Sequence, residues 1–218
     1  PIEETLAALD ILVRQGMVRY IGLSNWPAWA IAKASTHNAD HGLAPITSLQ
    51  AYYTIASRDI EREIAPLLHH DGIGMMVWSP LAGGFLSGKY TRQSEGEGRR
   101  TTFDFPPIDK ERGYDIIEIL HELAATKGRS VAQLALSWLL HRPVVSSVII
   151  GAKRKEQLDD NLGAVDVELG RQLGHAALGQ QHVPSLSLHF GPRRRILRHL
   201  GDSNGVRGGG VGSRRRQP

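Results

Sequence analysis

Between residues 2 and 162 the apolar positions switch repeatedly between a helical and a strand-like spacing. Residues 2–15 carry Leu6, Leu9, Leu12 and Val13 at helical intervals, and Gly16 ends that helix. Residues 18–23 are a short apolar run bounded by Gly and Ser, which predicts a buried strand. A helix follows over 27–37, with Pro27 tolerated in its first turn, and then a strand over 45–50. Ser57 is the expected cap of a helix running to about His70, with Ile60, Ile64, Leu67 and Leu68 on one face. A third strand is predicted over 73–77, and residues 94–107, rich in Gly, Arg, Thr and Pro, read as a long surface loop. Helices over 111–127 and up to His141 come next, the second opened by a capping box of Ser130 and Gln133. A fourth strand over 147–150 and a short helix over 154–162 complete the pattern. Four strands alternating with helices imply an α/β fold with a parallel sheet covered on its outside.

From Gly170 this periodicity fails. The last 49 residues hold ten glycines and two triple-arginine runs, at 193–195 and 214–216. Residues 1–169 carry 17 basic and 21 acidic side chains, whereas residues 170–218 carry nine arginines, no lysine and the single acid Asp202. The net charge of +4 and the pI near 9.6 therefore belong to the tail. A segment of this composition buries too little apolar surface to offset its ordering entropy, so 170–218 is expected to be disordered. Arginine without lysine, mixed with Gly, His and Ser, resembles GC-rich DNA translated in a wrong frame; a genuine basic arm is the competing reading.

The chain has no cysteine, which excludes disulfides and thiolate metal sites. No apolar run is long enough to cross a bilayer, and residues 1–15 read as an amphipathic helix rather than a secretory leader. A cytoplasmic location is the expectation. His37 and His41 stand four residues apart, but no third ligand joins them for zinc. His121-Glu122 lacks the second His of a zinc protease motif, and no GxGxxG or Walker A sequence occurs. Residues 1–169 offer no basic patch interleaved with aromatics for nucleic acid.

The candidate chemistry lies at the ends of the predicted strands, where a (β/α) barrel carries its active site. In VRYIGLSN, Ser24 and Asn25 can address a planar carboxamide; Asn25 as the cap of the following helix is the plainer alternative. Gln50, at a strand end, can both donate to and accept from an amide. Trp78 offers a flat wall for a heterocycle, and the small residues after it let backbone N–H groups approach phosphate oxygens. A core Trp followed by a turn is the alternative. Gly151-Ala152-Lys153-Arg154 precedes a short helix and suits an anion; an ordinary surface Lys-Arg pair is the alternative.

Taken in order, these segments resemble the aldo-keto reductase family, specifically the C-terminal half of its barrel. The resemblance runs through PIEETLAALDILVRQG, VRYIGLSNW, SLQAYYTI, GIGMMVWSPLAGGFLSGKY, VAQLALSWLL and IIGAKRKEQLDDNLGA, about residues 1–169. It implies a partial (β/α)8 TIM barrel, strands five to eight with their helices, and NADPH as cofactor. It implies that Ser24, Asn25 and Gln50 hold the nicotinamide carboxamide and that Trp78 stacks on the ring. Ser79, Leu81 and Gly83, with Lys89 nearby, would line the pyrophosphate. Gly151 and Lys153 would meet the 2′-phosphate, and Gln157, Asp160 and Asn161 the adenine end. The family passes a hydride from NADPH to the carbonyl carbon of an aldehyde or ketone while a Tyr protonates the oxygen. The family's catalytic Tyr, Asp, Lys and His precede the segment that Pro1 matches, so no catalytic residue is assigned and the chain alone is expected to be inactive. The two edge strands of a half barrel are expected to drive self-association. A non-catalytic NADPH-binding or regulatory subunit, and a nucleic-acid-binding protein acting through its arginine-rich tail, are the alternatives.

Overall fold

Helix α1 (Ile2–Arg14) has Glu3 and Glu4 in its first turn and Arg14 in its last, charges that complement the helix dipole. The computed structural model describes residues 1–94 and 99–168. These all belong to the first of two units, Pro1–His182 and Val183–Pro218. The expectation for 170–218 therefore lies outside the described residues. At the end of α1 the N–H groups of Met17 and Val18 return to Leu12 O, at 3.0 and 3.4 Å. That closure keeps residues 18–20 out of the sheet. Strand β1 spans Ile21–Ser24 and not the predicted 18–23, and Val18 and Tyr20 are exposed.

Helix α2 (Ala28–His41) has Pro27 as its N-cap residue and ends on Gly42 in the left-handed region. Strand β2 (Ile46–Tyr52) runs two residues beyond the predicted end, so Gln50 lies inside the strand. Ser57 does not cap a helix. Its N–H is directed to Thr54 in a tight turn and its hydroxyl donates to Tyr52 Oη at 3.3 Å. A 3-10 turn (Asp59–Glu61) follows, and α3 is confined to Ile64–Asp71. Pro66 supplies the reason: it has no N–H and its ring clashes with the carbonyl four residues earlier, so it fits only a first helical turn.

Strand β3 (Gly74–Trp78) leads into a 3-10 segment (Ala82–Ser87). The predicted loop 94–107 contains one short helix, α4 (Arg99–Thr102). Helix α5 (Lys110–Lys127) is capped by Asp109, whose side chain accepts from Arg112 N. Helix α6 (Val131–Leu140) starts with the predicted capping box of Ser130 and Gln133. Every residue from Val131 through Leu139 except the half-buried Gln133 is buried, since the helix packs against α5, strand β4 (Val145–Val148), helix α7 (Lys155–Leu162) and a last 3-10 turn (Gly163–Asp166). Strand β4 starts two residues earlier than predicted because Met75 N already bonds Val144 O, at 2.8 Å.

The sheet is parallel throughout, in the order β1-β2-β3-β4. Ile21, Leu23, Leu49, Ala51, Met75 and Val77 point to the helices and are buried. The alternate positions Gly22, Ser24, Ser48, Gln50, Gly74 and Met76 form the other face. Gly22 pairs with Ser48, and Ser48 with Gly74. A Cβ at Gly22 would collide with Ser48 Oγ, and one at Gly74 with Ser146 Oγ. This row of small residues lets the strands approach closely on that face.

A polar knot fixes the entry to β2. Asp10, 6% exposed, accepts from Ala44 N at 2.8 Å and from Arg14 Nε at 2.5 Å. Arg14 also donates to Gly42 O (3.0 Å), and Asn38 Nδ2 to Ala44 O (2.8 Å). The Arg14 hydrogen bond, with that from Ala44, holds the Asp10 carboxyl below the usual carboxylate range, against the opposing effect of burial. A depressed carboxylate stabilises the fold above its unfolded value of about 4 and loses that contribution as pH falls through the folded value. The urea midpoint of the wild type should therefore drop on acidification below pH about 4. Asp10→Asn should have a lower midpoint at pH 7 and a weaker dependence on pH across this window.

Candidate functional site

All four strands direct their carboxyl ends to one edge of the sheet, and the polar residues singled out in the sequence lie along it. Ser24 ends β1 opposite Gln50, and Trp78 ends β3 opposite Tyr52. Asn25 follows β1 in the left-handed region (φ 57°), which Asn tolerates better than most residues. Its N–H donates to Gln50 O at 2.9 Å. Asn25 is thus not the cap of α2, a place that Pro27 takes. The Trp78 indole N–H donates to Asn25 Oδ1 (2.8 Å), and Asn25 Nδ2 donates to Ser24 Oγ (3.3 Å). The half-buried Gln50 carboxamide hydrogen-bonds to nothing among the described residues. Ser24, Asn25, Gln50 and Trp78 therefore form one patch, and Gln50 keeps a donor and an acceptor available for a planar amide.

The turn after β3 is conformationally unusual. Ser79, Ala82, Gly83 and Gly84 all have positive φ, at 49°, 50°, 66° and 95°. The sequence suggested backbone N–H groups open to phosphate. The structure instead directs Ala82 N to Ser79 O (2.8 Å), Gly83 N to Ser79 Oγ (3.0 Å) and Gly84 N to Leu81 O (2.9 Å). Leu81 is half-buried against the core. Lys89 is exposed beside this turn, with Nζ 3.9 Å from where a Cβ on Gly84 would stand.

Two residues at this turn were not legible in the sequence. Arg100 is buried, its side chain 4% exposed, and Nη1 donates to Ala82 O (2.9 Å) and Pro106 O (2.8 Å). It also pairs with Asp104, whose other oxygen takes Lys110 Nζ at 3.0 Å. The Lys110 hydrogen bond, aided by the Arg100 charge, holds the Asp104 carboxyl below its usual range. Phe105 stacks on Trp78, ring centroids 5.7 Å apart and planes 10° from parallel. Tyr52 meets the same indole at 5.0 Å. Arg100 and Phe105 lie in a stretch of Gly, Arg, Thr and Pro without periodicity, so no local pattern announces them.

The third group lies after β4. Gly151 and Lys153 are exposed, nothing stands within 4 Å of a Cβ built on Gly151, and Lys153 forms no ion pair among the described residues. Gln157, Asp160 and Asn161 have internal duties. Gln157 Oε1 accepts from Lys153 N (2.9 Å) and Arg154 N (3.3 Å), which organises the start of α7. Asp160 accepts from Ser130 Oγ (2.8 Å) and, through its carbonyl, from Gln133 Nε2 (2.9 Å). Asn161, in α7, is 9% exposed.

Beside the patch is a cavity of about 700 Å³ whose lining includes Asn25, Trp26, Tyr52, Ile60, Pro107 and Arg112. Burial raises the Tyr52 phenol above its ordinary value, a rise moderated by its hydrogen bond with Ser57, so it is neutral at physiological pH. Among the described residues no three His, Asp or Glu side chains are grouped to hold a metal ion. His37 and His41 contact each other, with His41 Nδ1 2.9 Å from His37 O. No helix among the described residues is long and apolar enough to cross a membrane.

This architecture recurs in known proteins. The family model described as "Aldo/keto reductase family" matches residues 1–172. An uncharacterized oxidoreductase of Bacillus subtilis, YrpG, is 34% identical over 173 residues, 79% of this chain and 52% of that protein. A putative aryl-alcohol dehydrogenase of Saccharomyces cerevisiae, AAD14, is 33% identical over 172 residues, 77% of this chain and 46% of that protein. A probable voltage-gated potassium channel subunit beta of Arabidopsis thaliana is 35% identical over 176 residues, 77% and 53% of the two chains. The crystal structure of a thermostable aldo-keto reductase, Tm1743, in complex with the inhibitor epalrestat superimposes with a TM-score of 0.62 at 28% identity, over 81% of this chain and 54% of that one. The chain spans about half the length of the relatives it matches. With a parallel α/β sheet whose strand ends gather the family's segments, the chain belongs to the aldo/keto reductase family.

Proposed function

We propose that residues 1–169 are the C-terminal half of an NADPH-dependent aldo-keto reductase barrel, strands five to eight, and that they bind the cofactor in a cytoplasmic enzyme for small aldehydes and ketones. The observation that carries this reading is the patch of Ser24, Asn25, Gln50 and Trp78, with the Gln50 carboxamide unpaired. The residues present fit a nicotinamide dinucleotide at both ends. Gln50 has its amide donor and acceptor available at one, and Lys153 stands unpaired beside open space at Gly151 at the other.

Bound NADPH supplies the hydride that a carbonyl carbon receives. The chain's own residues bind and orient. Ser24, Asn25 and Gln50 hold the carboxamide and so fix which face of the ring is presented; Trp78 supports the ring. Ser79, Leu81 and Gly83 shape the turn beneath the pyrophosphate, and Lys89 gives it a counter-charge. Gly151 leaves room for the 2′-phosphate, and Lys153 meets it. Gln157, Asp160 and Asn161 keep α7 and its preceding loop in place beside the adenine. The cavity bordered by Asn25, Trp26 and Tyr52 has room for a small carbonyl compound, and its lining mixes apolar walls such as Trp26 and Ile60 with polar groups such as Asn25 and Arg112.

On this reading the family's catalytic Tyr, Asp, Lys and His lie outside residues 1–169, and the 218-residue polypeptide assayed by itself binds the cofactor without reducing a carbonyl. A non-catalytic NADPH-binding subunit is the second reading, favoured by the likeness to a protein named as a channel subunit beta. Nucleic-acid binding rests only on the tail, outside the described residues.

Purified polypeptide mixed with NADPH and 4-nitrobenzaldehyde should oxidise NADPH at least ~10²–10⁴ times more slowly than a complete family reductase, because the general acid is missing. Turnover at the rate of the complete enzyme refutes that assignment. In calorimetric titration the wild type should prefer NADPH to NADH by about tenfold, a charge-assisted contact at Lys153, and Lys153→Glu should abolish the preference. Equal NADPH affinity in the two proteins removes Lys153 from the 2′-phosphate site. Edge strands β1 and β4 each have an unpaired side among the described residues, and both are short with no acidic residue to deter pairing. Sedimentation of the polypeptide should show concentration-dependent self-association; a single monomeric species over the range tested contradicts it.

A further inference from the structure

We infer that Phe105 is an internal competitor for the Trp78 ring, carried on a gate formed by residues 103–106 and anchored by Arg100. The inference rests on the reading that a nicotinamide ring stacks on Trp78. Phe105 lies nearly parallel to that indole at 5.7 Å between centroids, within the range of offset aromatic stacking. Phe103 follows it at 5.6 Å from Phe105. Tyr52 contacts the indole from the neighbouring strand. A second flat ring reaches the face that Phe105 covers only when Phe105 leaves it.

The anchoring of the segment does not depend on the Phe105 ring. Arg100 holds Pro106 O and the Asp104 carboxylate, and Lys110 holds Asp104 from the other side. The same guanidinium holds Ala82 O, so the gate is tied to the turn after β3. Phe105 O lies 2.7 Å from where a Cβ on Gly83 would stand, so the glycine is what allows the segment to lie on that turn. Between these fixed points Phe105 is 46% exposed, unlike Phe85 of the core at 2%. Withdrawing it from Trp78 therefore breaks the stack on the indole and disturbs the Phe103 contact, while the Arg100 anchoring stays in place. Anything that stacks on Trp78 binds through the fraction of molecules in which Phe105 has swung away, and its apparent affinity is lowered by that fraction.

The 218-residue chain, Phe105→Ala and Phe105→Leu are titrated by calorimetry with NADPH and with adenosine 2′,5′-bisphosphate, which has the phosphate end of the cofactor and no nicotinamide. Far-UV circular dichroism checks that each variant folds; Phe105→Leu keeps apolar bulk and loses only the ring. Both variants should bind NADPH about two- to tenfold more tightly than wild type, the worth of one aromatic stack, with the bisphosphate unchanged. NADPH affinity that is unchanged or weaker in both variants overturns the gate and leaves the cofactor reading standing. A gain shared equally by the bisphosphate also overturns it, since the effect is then not competition at the ring. Failure of all three proteins to bind NADPH overturns the cofactor reading, and the gate with it.

Discussion

Parallel pairing in the register Ser24 to Gln50 and Tyr52 to Trp78 decides where the polar groups of this molecule stand. Side chains alternate across a strand, so a slip of one residue would turn Leu23, Leu49 and Met75 away from the helices and put Ser24, Gln50 and Met76 beneath them. The apolar layer under the helices and the polar layer on the other face are thus two consequences of one alignment. The row of Gly22, Ser48 and Gly74 reinforces it, since a side chain at either glycine would collide with a neighbouring serine. Because the strands all run the same way, the register also fixes which groups reach the carboxyl edge. Asn25, Gln50 and Trp78 arrive there together, and one backbone and one indole hydrogen bond join them.

Beyond the sheet, order depends on a buried cation. Ser79 and Ala82 hold left-handed conformations that cost about 1–3 kcal/mol each in residues with a side chain, and persist only where surroundings impose them. Ser79 supplies part of that constraint by accepting from Ala82 N and Gly83 N. Arg100 supplies the rest through the Ala82 carbonyl. A guanidinium this buried is stable only with its donors matched, and two carbonyls and Asp104 match them. The turn and the segment 103–106 therefore form one unit: altering either leaves a buried charge short of partners.

Much of this was legible in the sequence, and the failures share a cause. The strand–helix alternation, the Ser130–Gln133 capping box and the strand-end positions of Ser24 and Trp78 follow from local periodicity. Boundaries moved where a backbone group had a partner that periodicity does not encode: Val18 N returns to Leu12 O, and Met75 N finds Val144 O. The helix predicted from Ser57 is cut short by Pro66, a signal present in the sequence that lies within a continuous apolar face. Arg100 and Phe105 lie in a stretch of Gly, Arg, Thr and Pro with no period at all. Their roles come from contacts with Ala82 and Trp78, 18 and 27 positions away, which only the folded chain defines.

The two ends of the candidate site differ in how they are built. At the Trp78 end the groups sit on paired strands, so their geometry is set by the sheet before any ligand arrives. At the Lys153 end the positive charge is carried on an exposed side chain, and the loop beneath it is held by Gln157, whose side-chain oxygen takes both Lys153 N and Arg154 N. Gln157 thus holds the backbone from which the Lys153 side chain extends. Asp160 does the same one step removed, locking α7 to the capped start of α6 through Ser130. On the proposed reading, residues expected from the sequence to contact the ligand act by fixing the loop that makes the contact, and that division suits a site whose ring end would need precise geometry and whose phosphate end would need chiefly charge.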